Sequence, residues 1–551
     1  MDSNNLIGSI DQELDYLQEI VGRGFATIKS YCLNDGKLDP VLMDEWQLCS
    51  YDLAFCTAEI SAARSFCTYA SALQNNSLVH NLCVSFSGET IQTVLTRLLS
   101  RAAELELSRG DILAAYDRKV IQTLLENFLT GESLSKIGEE ICENDIQRLP
   151  SVLSDDIEMV RETFFRFAND VVIPLAEEIH RQDQDIPDSI LKPAAELGCF
   201  GTCIPERFGG LQPDDKPNSL GMIVVTEELS RGSLGAAGSL ITRPEIAARS
   251  LLSGGTAAQQ ERWLPKLAAG EMLCAISITE PNTGSDVAAV SLKASKTKGG
   301  WLLNGSKTWC TFAGKSELLV VLARTDGDLS LGYKGLSLFM IEKPAYAGHS
   351  FTHQQEQGGS LTGNAISTLG YRGMHSYDLF FEDYFVPEEN LVGEEAGEGR
   401  GFYFTMEGFS GGRIQTAARA TGVMQAAFEN ALSYAKDRQV FGKAVADYQL
   451  TRVKLTRMLA TLTASRQFSY AVAEQMDNGG GQMEASLVKL FTCRAAEWIS
   501  REALQIHGGM GYAEESTVSR LFVDARVLSI FEGAEETLAL KVIARDLIAK
   551  A

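Results

Sequence analysis

Basic residues are scarce in this chain: 49 Lys and Arg stand against 72 Asp and Glu, a formal net charge of −23 over 551 residues. So acidic a surface repels a phosphate backbone, which excludes nucleic acid as an expected partner. There are six histidines, and the eleven cysteines include no Cys-x-x-Cys pair. That removes the usual zinc spacings and a disulfide framework, so no metal is expected and the thiols read as reduced and buried in a cytoplasmic protein. No apolar run nears the roughly 20 residues that cross a bilayer. The N-terminus, MDSNNLIGSIDQELDYLQEI, has no basic stretch ahead of an apolar one, so neither a membrane span nor a signal peptide is expected. What remains, 45% hydrophobic and 22% charged, is ordinary globular composition. The length allows several cores, because one core rarely grows past roughly 250–300 residues.

Residues 1–150 carry apolar side chains at three- and four-residue intervals, as in LQEIVGRGFATIKSYCL, and read as a helical extension. ENDIQRLPSVLSDD reads as a linker, with Pro150 as a breaker and Asp155 and Asp156 favouring a new helix start. Helices are expected over 151–271, a β domain over 272–395 and a helical bundle over 396–551. LCAISIT, LLVVLAR, LSLFMIE and DLFFEDYFV are short apolar or alternating runs, the signature of strands. WLLNGSKTWCTF reads as a hairpin turning at Asn304–Gly305. The fold class is therefore mainly α with a central β domain; without βαβ alternation, a doubly wound nucleotide fold is not expected.

WQLCSYDLAFCTAEISAAR (46–64) aligns without gaps to YQLTRVKLTRMLATLTASR (448–466), with Gln47/Gln449, Leu48/Leu450, Leu53/Leu455, Ala58/Ala460, Ala62/Ala464 and Arg64/Arg466 identical. Either amphipathic helices resemble one another by chance, or the extension is a degenerate copy of the C-terminal bundle. It has no counterpart of QIHGGMGY, so a copy would keep the packing and lack the ligand site.

Several stretches carry polar chemistry. ISITEPNTGSDV (276–287) ends a strand in a loop whose small residues let backbone amides approach a phosphate or a polar heterocycle, or it is a plain hairpin loop. In KTWCTF, Trp309 and Thr311 fall on one face of a strand, as a stacking surface with a hydroxyl or simply as core. QIHGGMGY (505–512) follows a helix, where its glycines also suit a C-cap. In LSIFEGAEETLAL, Glu535 and Glu536 suit the first turn of a helix, whereas Glu532 sits between Phe531 and Gly533. Taken alone, that glutamate too reads most simply as part of a helix start.

TEPNTGSD, WCT, DLFFEDYFVPEENLVG, DRQVFGK, QIHGGMGY and FEG, in that order, give residues 155–551 a resemblance to the acyl-CoA dehydrogenase family. The resemblance implies a helical domain, a β-barrel-like domain and a C-terminal four-helix bundle with FAD between them, and FAD-dependent α,β-dehydrogenation of an acyl-CoA. It implies that Glu532 is the catalytic base and that hydride passes to flavin N5. Ile278, Thr279, Ser285, Trp309 and Thr311 then contact FAD. Arg438, Phe441, Tyr448, Gln449, Gln505, Gly508 and Gly509 match positions that grip the FAD of a neighbouring subunit, and Ala534 and Glu536 lie at further FAD positions. Ala534 departs from the threonine common there. Some family members place the base just before the Arg of the preceding helix, where this chain has Gly412, which cannot serve.

The resemblance places Phe402, Ser410, Gly412 and Arg413 against CoA and the thioester. Successive glycines at 411 and 412 suggest room for an α-methyl branch, and Arg243, with Arg231 and Arg372 as rivals, is a candidate for a distal carboxylate. Taken with the extension, the resemblance implies (2S)-methylsuccinyl-CoA as substrate and mesaconyl-CoA as product. Isobutyryl-, 2-methylbutyryl- or glutaryl-type substrates are alternatives, as is a flavoprotein of this fold doing oxygen chemistry. Electron-transfer flavoprotein is the implied acceptor. Family tetramers pair their C-terminal bundles, and a fused copy covering that surface implies a homodimer.

Overall fold

The computed structural model describes residues 3–551, with side chains from residue 6 onward. Two compact units are present, one formed by residues 1–158 and 416–551, the other by 159–415.

In the first unit the internal similarity extends well beyond one helix. Helix Ser3–Cys32 leads into a two-residue-strand hairpin, then into helices Gln47–Ala72 and Ser77–Arg101. Helix Gly412–Asp437 leads into a matching hairpin, then into Gln449–Asp477 and Gln482–His507. The hairpins share a register: Asp39 N–H reaches Cys32 O at 2.9 Å, and Val445 N–H reaches Arg438 O at 2.8 Å. Both turn through two left-handed residues, Asp35–Gly36 (φ 49° and 76°) and Phe441–Gly442 (φ 50° and 84°), the conformation that suits the twist of a tight hairpin. The 47–72 helix lies on both 449–477 and 482–507, and the 77–101 helix lies on 449–477, so the two copies pair through equivalent faces. Helix Gly131–Glu143 closes on 449–477 at Gly138, where a Cβ would stand 2.3 Å from Arg452 O, and Thr456 Oγ1 donates to Leu134 O there at 2.9 Å.

The second unit has helices Ser219–Gly232, Thr242–Gly254 and Ala257–Ala268 ahead of an eight-stranded curled sheet, with Gly401–Phe409 after it. Strand Leu318–Arg324 is buried on both faces. Leu319, Val321 and Ala323 join the core enclosed with Leu303, Phe339, Phe381 and Tyr384. Leu318, Val320 and Leu322 instead meet Leu251, Trp263 and Phe404 from the helices. The period-two alternation thus builds two cores from one strand.

The hairpin expected at Asn304–Gly305 lies elsewhere. Strand Gly300–Thr311 runs straight through those residues, and its turn precedes it, with Thr297 paired to Gly300 and Gly299 at φ 77°. Asn304 bonds Asp383 on strand Ser376–Pro387 in both directions at 2.9 Å, opposite a register shift. A cross-strand amide–carboxylate pair has replaced the local turn.

All eleven cysteines are free and buried. Among the described residues no helix is long and apolar enough to cross a membrane.

Candidate active site

In the second unit a cavity of about 460 Å³ opens between the TEP loop and strands 300–311 and 376–387, lined by Thr279, Pro281, Gly284, Thr308, Trp309 and Phe380 among others. Strand 300–311 bulges against its neighbour here, because Cys310 pairs Tyr377 while Lys307 pairs Leu379. Trp309 takes φ 56° at the bulge, a strained conformation for so large a residue, and its indole is 55% exposed. Cys310 is buried between Trp309 and the part-exposed Thr311, so both outer side chains face the same way. Thr311 Oγ1 pairs with Ser376 Oγ at 2.9 Å. Ile278 is buried beneath the loop, and Ser285 is exposed on it.

The loop is braced by Glu280 and Lys307, a buried pair 2.8 Å apart that the sequence reading missed. Glu280 also accepts from Ser291 N–H and Oγ and from Leu292 N–H, and Lys307 donates to Ile278 O. Burial works to raise the Glu280 carboxyl, but the Lys307 ammonium and these donors outweigh it and hold the group below the usual range. Burial pulls the Lys307 ammonium down to about 8 against the opposing carboxylate.

Glu532 belongs to the first unit, in the bend after helix Thr517–Leu528. It adopts φ 55° and is half-buried. Neither its carboxylate nor its N–H has a hydrogen-bond or ion-pair partner among the described residues. Its neighbours are held firmly. The Phe531 ring lies 4.6 Å from the buried Arg419 guanidinium, and the buried Lys489 donates to Gly533 O at 2.6 Å. Glu535, expected only to start a helix, pairs with Arg494 at 2.5 Å and accepts from Tyr51 of the N-terminal extension. Ala534 caps that short helix, and Glu536 is exposed.

Arg438, Phe441, Gln449, Gln505, Gly508 and Gly509 are all exposed on the first unit, Phe441 at 99%. The Tyr434 and His507 rings stack at 4.2 Å, bringing the hairpin's leading helix to the end of helix 482–507. A Cβ at Gly508 or Gly509 would meet nothing within 4 Å. Tyr448 instead turns back on its own hairpin, donating to Val440 O at 2.8 Å.

In the second unit Phe402 packs on Tyr333, and Ser410, Gly412 and Arg413 lie where helix 401–409 gives way to helix 412–437. The room expected at Gly411 is already filled: a Cβ there would stand 2.0 Å from Glu245 Oε1, whose carboxylate is fully buried and bonded to Arg249 and Gln415. Of the candidate arginines, Arg231 is paired with Glu228 and Asn169. Arg372 donates to Thr368 O and His180 O and approaches Asp183. Arg243 is buried with no carboxylate partner among the described residues, donating to Ser239 O and Met374 Sδ. The cavity at its side is about 10 Å³, room for one water at most.

Three family models match the chain in order: Acyl-CoA dehydrogenase, N-terminal domain over residues 154–271, middle domain over 275–384 and C-terminal domain over 399–548. A (2S)-methylsuccinyl-CoA dehydrogenase from Cereibacter sphaeroides is 37% identical over 533 residues, 95% of this chain and 94% of that protein. A mitochondrial isovaleryl-CoA dehydrogenase from Arabidopsis thaliana is 36% identical over 406 residues, 73% of this chain and 93% of that one. The solved structure of butyryl-CoA dehydrogenase from Megasphaera elsdenii matches with a TM-score of 0.65 at 30% identity, over 72% of this chain and 100% of its own. The chain belongs to the acyl-CoA dehydrogenase family.

Proposed function

We propose that this acyl-CoA dehydrogenase oxidises (2S)-methylsuccinyl-CoA to mesaconyl-CoA, with Glu532 removing the α-proton. The observation that carries the chemistry is Glu532 itself: a half-buried carboxylate without a partner among the described residues, at φ 55°, on a loop anchored by two buried cations. A base already engaged in hydrogen bonds would have to break them to accept a proton from carbon; this one does not. Its unengaged N–H is a donor for the thioester oxygen, where negative charge develops as the proton leaves.

FAD, the family's cofactor, supplies the two-electron acceptor for the hydrogen leaving the β-carbon. The exposed Trp309 indole, the Thr279 hydroxyl and the small-residue loop at Gly284 fit a flat heterocycle and its phosphates. Ile278, Ser285 and Thr311 complete that wall. The exposed set Arg438, Phe441, Gln449, Gln505, Gly508 and Gly509 is read as reaching the FAD of a second copy. The extension already covers helices 449–477 and 482–507, which supports a homodimer. Electron-transfer flavoprotein is the proposed acceptor, and the reduced buried thiols support a cytoplasmic setting.

The methylsuccinyl reading is supported by similarity that continues through the extension, where the isovaleryl enzyme's similarity spans 73% of the chain. Arg243 supplies the charge for a distal carboxylate, which reaches it by displacing Met374. The test is anaerobic mixing of the FAD-loaded protein with methylsuccinyl-, isobutyryl- and glutaryl-CoA, following flavin bleaching. Fastest bleaching with methylsuccinyl-CoA is expected; faster bleaching with either competitor would overturn the substrate assignment. Rapid reoxidation by air without enoyl product would overturn the dehydrogenase role.

A further inference from the structure

We propose that Asp183, His349 and His375 form a zinc-class metal site, with Asp185 orienting His375. Asp183 ends helix Ile173–Gln182 in a left-handed conformation (φ 50°), and the two histidines immediately precede strands Ser350–Gln354 and Ser376–Pro387. His375 Nε2 lies 3.2 Å from Asp183 Oδ1, and His349 Nε2 lies 3.8 Å from Asp183 Oδ2 and 2.9 Å from the Asp183 backbone O, a hydrogen bond that metal binding would replace. All three ligand atoms fall within 4.8 Å of one another. Zinc bonds of about 2.0–2.1 Å at tetrahedral angles set donors roughly 3.3 Å apart, so small side-chain rotations close the set on an ion.

Asp185 gives the cluster the build of a metal centre. Its Oδ1 lies 3.0 Å from His375 Nδ1, and its Oδ2 accepts from Gly348 N–H at 2.6 Å. A carboxylate fixed on one imidazole nitrogen holds the proton there and leaves the other nitrogen's lone pair for the metal. His349 is half-exposed, which leaves a fourth position to water. Arg372, 3.9 Å from Asp183, offsets part of the negative charge. Two imidazoles with one partly neutralised carboxylate suit zinc better than calcium or magnesium, which prefer oxygen ligands. In the absence of metal, a proton shared between His375 and Asp183, and the His349 Nε2–H donating to Asp183 O, satisfy the same groups. The three ligands are 166 and 26 residues apart along the chain (349 − 183 and 375 − 349), so no spacing motif announced them.

The site braces one end of the flavin wall proposed above without depending on that reading. His375 O accepts from Phe312 N–H at 2.7 Å, and Ser376 pairs with Thr311. The test uses the FAD-loaded full chain, stripped with chelator and dialysed against micromolar zinc, with zinc counted per chain and cobalt used as an optical probe. One zinc per chain is expected, with cobalt giving the visible absorption of a four-coordinate site. His349→Ala, at a half-exposed position, is expected to weaken zinc at least about 10-fold while its metal-free melting temperature falls only by the small amount that losing the hydrogen bond to Asp183 O entails. Less than stoichiometric zinc in the wild type, or equal affinity in His349→Ala, would sink the site and leave the dehydrogenase assignment untouched.

Discussion

The Lys489 ammonium donates to the Gly533 carbonyl across 2.6 Å, tying helix 482–507 to the residue that follows Glu532. On the other side, Arg419 stacks on Phe531 at 4.6 Å. A non-glycine residue in a left-handed conformation costs about 1–3 kcal/mol, and it persists because flanking contacts over-determine it. Lys489→Met should therefore lower kcat by about 100-fold, the cost of a base displaced by roughly an ångström, with flavin content unchanged. Steady-state rates and the flavin-to-protein absorbance ratio check this.

Glu532→Gln keeps size and polarity but cannot take a proton. Turnover should fall by at least about 10²–10⁴-fold while FAD stays bound, because the group acts on substrate alone. Single-turnover bleaching with methylsuccinyl-CoA reads the loss, and wild-type rates in the variant would refute the assignment.

Tyr51 brings the extension to the loop through Glu535, which also holds Arg494. Burial and the Glu535 carboxylate push the Tyr51 phenol up to about 12, so it stays a donor across the physiological range. Tyr51→Phe should cost about 1–2 kcal/mol, near the range for a hydrogen bond to a charged group. A lowered melting temperature with unchanged flavin content is the expected result.

Glu280→Gln leaves the buried Lys307 ammonium without its counter-charge and should destabilise the protein by about 3–5 kcal/mol at neutral pH. The sign with pH follows from the lowered Glu280 carboxyl: its contribution is present above the unfolded value of 4.5 and is lost as pH falls through the folded value. Melting curves of wild type and variant should therefore converge below pH 4.5.

Arg243→Leu removes a buried cation that has no carboxylate partner among the described residues. Losing a charge-assisted contact should cut kcat/KM for methylsuccinyl-CoA by roughly 10–100-fold, equivalent to about 1.5–3 kcal/mol, and spare isobutyryl-CoA. Equal losses on both substrates would remove Arg243 from the carboxylate site.

Periodicity made the order of helices, strands and helices legible, because apolar spacing reports burial directly. Asn304–Gly305 misled because a strong local turn signal lost to a cross-strand pair with Asp383, which no local window contains. The repeat was visible over 19 aligned positions, whereas its hairpins share geometry and little sequence beyond Gly36–Lys37 and Gly442–Lys443: Asp35 stands where Phe441 does. Glu532 stands out beside Phe531 and Gly533, but its reading as a base comes from the family resemblance and not from its neighbours. Glu280 and Lys307, 27 residues apart, could not be singled out, nor could Glu245 filling the space beside Gly411.

The paired bundles of the first unit have a consequence for mass action. When both halves of a helix pairing travel on one polypeptide, each sees the other at a fixed local concentration set by the tether. The faces of helices 449–477 and 482–507 that meet the extension thus stay covered at any dilution, and their docking does not wait for another molecule to arrive.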